Sequence, residues 1–147
     1  MQNLLRLFRS YFKFNLRDKY LILKVFILSF LTRILLLIIP FKYIKKHLGK
    51  VNVESEYNCE EWEINICKRV RWAVNKVSRH TLWESKCLVQ AMISQKILSS
   101  KNIKTTLYLG VGKEDGNMIA HAWIRCGNYY VTGGNGEGYG VVAKFTK

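Results

Sequence analysis

The sequence predicts an α+β domain, helices first and a small antiparallel sheet after, preceded by an apolar and basic helical appendage. Three observations carry that expectation. Apolar residues recur at helical spacing as far as residue 98, the period falls to two after Thr105, and positive charge is concentrated in the first third of the chain. With 147 residues, 49% of them hydrophobic, there is enough apolar side chain for one packed core, so a single domain is expected.

Residues 4–14 and 16–39 read as helices, with Asn15 or Asp18 as caps and Pro40 as a stop or bend. A short basic helix with Lys42, Lys45 and Lys46 ends near Gly49, closing an appendage assigned to residues 1–50. Residues 51–60 turn acidic and polar, through Glu54, Glu56 and Glu60, and mark the boundary to a core at residues 51–147. Trp62, Ile66, Val70, Ala73 and Val77 then follow at steps of four, four, three and four, so residues 60–78 form an amphipathic helix with Lys68, Arg69 and Lys76 on its polar face. In CLVQAMISQKILSS, starting at Cys87, apolar residues cover so much of the surface that the helix belongs at the domain centre, with Cys87 in its first turn. From Thr105, alternating Leu107, Leu109 and Val111 start a strand. A GKEDGN turn follows, MIAHAWIR runs on to Arg125, Gly127 and Asn128 turn into YYVT, and VVAKF makes the last strand after the glycine-rich loop GGNGEGYG.

Residues 1–50 hold eleven Lys and Arg against the single acid Asp18, a net of +10 out of +14 for the whole chain. Such asymmetry points to an anionic partner near the N-terminus: a membrane surface, nucleic acid or an acidic protein or peptide. Residues 20–39 approach a membrane span in length and hydropathy but are interrupted by Lys24 and Arg33, each costing about 2.5–3.5 kcal/mol at a bilayer centre. A helical cap packed on the core, a surface-associated helix and a span are the three readings. Cys59, Cys67, Cys87 and Cys126, spaced by 8, 20 and 39, match neither a CxxC metal pair nor a dense disulfide framework, so a reducing cytoplasm is expected. No cleavable signal peptide is readable.

The chemistry gathers at two residues. Unpaired amides and the helix dipole at a helix N-terminus favour a thiolate, and the same amides can hold an oxyanion, which makes Cys87 a candidate nucleophile. His121, between two alanines on a strand, has room to act as its base. Each has a plain alternative, a buried structural cysteine and a hydrogen-bonded strand histidine; together they favour catalysis.

Within the stretch 83–134 stand Trp83 ahead of Cys87-Leu88, Gln90-Ala91, Leu107-x-Leu109-Gly110-Val111 and Ala120-His121-Ala122-Trp123. In these pieces it resembles the core of the transglutaminase-like leader peptidases of lasso-peptide biosynthesis, with Arg33, Pro40 and Phe41 fitting the family's N-terminal part. The resemblance implies a papain/transglutaminase-like fold, a central helix packed on a small antiparallel sheet, with Cys87 and His121 as the catalytic pair. It implies hydrolysis of one bond between leader and core of a ribosomally made precursor peptide, without cofactor or metal. It also implies two protein partners, a separate leader-recognition protein and an asparagine-synthetase-like lasso cyclase. A transglutaminase-like acyltransferase or deamidase, and a non-enzymatic basic membrane-associated scaffold, are the alternatives.

The family's pattern places an acid about twelve residues after the histidine, where this chain has Gly133. Asn128, Asn135 and Glu137 are the nearest polar candidates for a third residue, since a carboxamide can orient an imidazole. Trp83 and Trp123 are expected to wall a substrate cleft, with core packing as the equal alternative. GGNGEGYG lacks the Lys-Ser/Thr of a phosphate loop and reads as a mobile loop beside the site, and no nucleic-acid role is assigned. Cys126 is expected to be structural. Cys59 and Cys67 would need two further ligands to hold zinc, and His47 and His80 are expected in solvent.

Overall fold

The computed structural model describes residues 5, 6, 9, 11–81 and 86–147. Among these residues four helices, α1 (Leu16–Ile38), α2 (Phe41–Ile44), α3 (Glu61–Ser78) and α4 (Cys87–Ser99), pack with five strands: β1 (Lys50–Val51), β2 (Thr106–Glu114), β3 (Asn117–Cys126), β4 (Tyr129–Thr132) and β5 (Gly140–Thr146). This is the α+β arrangement expected from the change of period. The helix expected at residues 4–14 lies largely outside the described residues.

Caps set the helix limits. Asn15 Oδ1 accepts from the Asp18 amide at 2.9 Å to start α1, and the backbone turns extended at Ile39 before Pro40. At α3 a reciprocal capping box joins Glu60 and Glu63, whose carboxylate accepts from the Glu60 amide at 2.8 Å. The buried stripe of α3 runs through Cys67, Val70, Ala73, Val74 and Val77. Trp62, counted in the apolar stripe by spacing, is instead half in solvent. Its place in the first turn carries it past the end of the sheet-facing stripe.

The sheet is antiparallel throughout, in the order β1-β5-β2-β3-β4. The β2–β3 hairpin is tighter than the GKEDGN turn suggested: pairing continues to Glu114 and Asn117, leaving only Asp115 (φ +49°) and Gly116 (φ +81°) to turn the chain. Positive φ at both central residues is the mirror-image turn that suits strand twist, and Asp-Gly supplies it. Helix α4 lies across β3 and β4, and the Gln95 amide donates to the Phe145 carbonyl of β5 at 3.3 Å. The main core lies between the helices and one sheet face, with Val74, Ile93, Leu107, Ile124 and Phe145 fully buried or nearly so.

Ile22, Val25 and Leu48, within the stretch read as an appendage, belong to that same core. Residues 52–59, expected only as a boundary, form a strap over the opposite sheet face. Thr106 Oγ1 accepts from the Ser55 amide at 2.8 Å, and the buried Arg125 donates to the Tyr108 hydroxyl, the Ser55 carbonyl and the Gly127 carbonyl at 2.8–3.0 Å. The Arg125 guanidinium also sits 3.9 Å from the centre of the Tyr57 ring.

Candidate functional site

Cys87 is the first helical residue of α4, after an extended Lys86. A helix leaves its first amides without an acceptor of its own, and among the described residues none is found for those of Cys87, Leu88 and Val89, whereas the Gln90 amide donates to the Lys86 carbonyl at 3.1 Å. The side chain is half-buried and packs against the core. Among the described residues no hydrogen bond joins the Cys87 thiol to His121.

His121 stands in the middle of β3, opposite Gly110 of β2. Beyond Thr132 strand β4 leaves the sheet, and the chain turns at Gly133 with φ +78°. That turn brings the Gly133 carbonyl to 2.6 Å from His121 Nε2. A carbonyl oxygen only accepts, so Nε2–H is the donor, and in the neutral ring the lone pair then lies on Nδ1. Glycine is required here for space as well as torsion, since a Cβ would lie 2.3 Å from the Ala122 carbonyl oxygen. The imidazole is further held by Tyr139, stacked at 4.7 Å between centroids, and by Trp123 at 5.9 Å.

By strand alternation His121, Trp123 and Arg125 share one face of β3, while Ala122, Ile124 and Cys126 share the other and join the helix-side core. Trp123 is 4% exposed and stacked on Tyr108 at 5.3 Å, so it supports the imidazole from within the fold and does not wall an open cleft. Trp83 lies outside the described residues. Asn128, Asn135 and Glu137 are exposed, and none bonds His121: Asn135 Oδ1 instead accepts from the Glu137 amide at 3.1 Å. The polar partner found at Nε2 is a main-chain atom, at the very position where the carboxylate was missing. Tyr139, at the end of the glycine-rich loop, is the neighbour that sequence reasoning overlooked; its only signal was an aromatic residue among glycines.

The three other cysteines converge elsewhere. Cys59 Sγ donates to the Cys126 carbonyl at 3.7 Å. The hydrogen bond to Cys126, added to burial, pushes the Cys67 thiol far above its ordinary range, and burial raises Cys59 as well. Cys126 accepts the bond from Cys67, which lowers its pKa, but it is buried and closed to a peptide. Cys87 is the thiol placed at a helix N-terminus. Among the described residues no cluster suited to a metal occurs. His80 is half-buried, its Nδ1 donating to the Lys76 carbonyl at 2.7 Å, whereas His47 is exposed as expected.

A family model described as the transglutaminase-like superfamily matches residues 37–144. The chain belongs to the transglutaminase-like superfamily. That membership agrees with the central helix on an antiparallel sheet, and members of the superfamily are typically cysteine-type enzymes. The matched region starts inside α1 and takes in both Cys87 and His121. Comparison with curated proteins and with solved structures returned no match.

Proposed function

We propose that this superfamily member is a cysteine peptidase that hydrolyses the leader–core bond of a ribosomally made lasso-peptide precursor, with Cys87 as nucleophile and His121 as general base. The His121–Gly133 hydrogen bond carries the reading, because it leaves Nδ1 as the basic atom of an imidazole fixed in orientation. The superfamily and the placement of Cys87 support the cysteine chemistry, and the resemblance of residues 83–134 to the lasso leader peptidases supports the choice of substrate.

Strand alternation puts His121 on the face of β3 opposite the core against which Cys87 packs, so the mechanism requires the thiol to come within reach of Nδ1, which then takes its proton as Sγ bonds to the scissile carbonyl carbon. The resulting oxyanion faces the first-turn amides of α4. Collapse breaks the C–N bond, and the imidazolium returns its proton to the leaving amine. Water, deprotonated by Nδ1, then attacks the thioester and releases a carboxylate and the restored thiol. An amine acceptor in place of water would make the same thioester a transferase intermediate, and a glutamine side-chain amide as the acyl donor would make the reaction a deamidation. A separate leader-recognition protein would present the precursor, and an asparagine-synthetase-like cyclase would consume the freed core amine. The proposed compartment is the cytoplasm.

The test is mass spectrometry of precursor incubated with wild type, Cys87→Ala or His121→Ala in the presence of the leader-binding protein. Two fragments from one bond, made by wild type and by neither variant, are expected. An intact backbone carrying a new isopeptide or a one-dalton deamidation shift would replace this reading with transfer or deamidation. Cleavage that survives Cys87→Ala would sink it.

A further inference from the structure

We infer that the solvent face of α1 docks in the plane of an anionic lipid surface, independently of the reaction catalysed. By length and composition Leu16–Ile38 could cross a membrane, the mean hydropathy of its most apolar 18 residues being 2.5. Its packing argues for a different orientation. Ile22, Val25 and Ser29 are buried among the other helices, and Asp18 is tied to Arg69 of α3 at 2.7 Å, so one side of α1 is committed to protein along much of its length. A span in this conformation would drag α3 and α4 into hydrocarbon.

At 100° per residue the opposite side collects Leu16, Tyr20, Ile27, Leu31 and Ile38, which are 47–83% exposed. This stripe is about 33 Å long at 1.5 Å per residue. A continuous apolar strip of that length marks an interaction surface. Cations border it without interrupting it: Arg17 and Lys24 fall on one side and Lys19 on the other, while exposed Lys42, Lys45 and Lys46 follow at its C-terminal end.

The charge selects the occupant. A second copy would bring a +10 segment against a +10 segment. Nucleic acid would meet the cations but leave the apolar strip in water. Anionic lipid satisfies both, taking the strip at the acyl boundary and the ammonium groups at the headgroups. Leu31, Leu35 and Ile39 also line a cavity of about 430 Å³ beside Lys96 and Lys147, which extends the pattern of apolar wall and basic rim.

The experiment is co-sedimentation of the full chain with vesicles of phosphatidylcholine alone and vesicles containing phosphatidylglycerol, with near-UV circular dichroism as the folding check. Wild type is expected to sediment with the anionic vesicles and to be released by salt or alkaline carbonate. Ile27→Asp/Leu31→Asp should lower partitioning at least about tenfold, and Lys42→Gln/Lys45→Gln/Lys46→Gln by about fivefold per charge removed, both with unchanged dichroism. Wild type remaining in the supernatant overturns the inference. So does carbonate resistance, which means a span, or a vesicle-free dimer abolished by Ile27→Asp/Leu31→Asp, which means a self-association face.

Discussion

A main-chain carbonyl can hold an imidazole in one tautomer as a carboxylate can, but through a weaker bond and with no negative charge to steady an imidazolium. His121 and Gly133 illustrate the trade. Gly133→Ala sets a Cβ against the Ala122 carbonyl at positive φ, a strain of about 1–3 kcal/mol, and moves the accepting oxygen. We expect a lower kcat with little change in KM while circular dichroism still reports a folded chain. Replacing Asn128, Asn135 or Glu137 by Ala should leave kcat within about twofold, since exposed side chains away from such features change little; a large loss at any of them would return the third-residue role to a side chain. Cys87 and His121 were recognisable in the sequence as candidates because their side chains are chemically unusual. Gly133 was not, because every residue carries a carbonyl, and only the fold says which one is aimed at the ring.

At the scale of the element, the strap at 52–59 explains how the sheet face bearing His121 is roofed. Arg125 is its main fastener, and nothing in the alternation of MIAHAWIR tells a buried arginine from a solvent-facing one. Arg125→Ala leaves the Tyr108 hydroxyl and two carbonyls without their donor, and we expect a loss of about 3 kcal/mol or more in urea unfolding. Arg125→Lys should recover only part, because one ammonium cannot span the fork of acceptors. Glu54 adds a pH-dependent tie. Burial works to raise its pKa, but Lys144 at 3.2 Å, with Tyr108 and Tyr57, outweighs burial and lowers it. A carboxylate depressed in the fold stabilises above its unfolded pKa, and that contribution is lost as pH falls through the folded value. Wild type should therefore exceed Glu54→Gln by up to about 1 kcal/mol at neutral pH, with the gap closing below about pH 4. A gap that widens towards acid would show the sign to be wrong.

For the whole molecule, periodicity located the helices and strands because burial on one side of each element leaves a repeating mark in the chain. It could not show which strands lie together. The last strand, β5, pairs between β1 and β2, and that choice is made by packing of side chains distant in sequence. The same limit applies to α1. Its composition resembled that of a detachable or membrane-crossing segment, yet Ile22 and Val25 sit in the core with Val70, Ile97 and Leu98. If α1 is structurally part of the domain, a cavity made beneath it must weaken the entire fold. Ile22→Ala should cost about 2–4 kcal/mol and lower Tm by at least about 4 °C in a single cooperative transition. A helix that merely rests on a self-sufficient core would instead fray in a separate early step, leaving the main transition at its wild-type temperature. Differential scanning calorimetry separates these outcomes, because one peak displaced as a unit requires that residues on both sides of the 50/51 boundary unfold together.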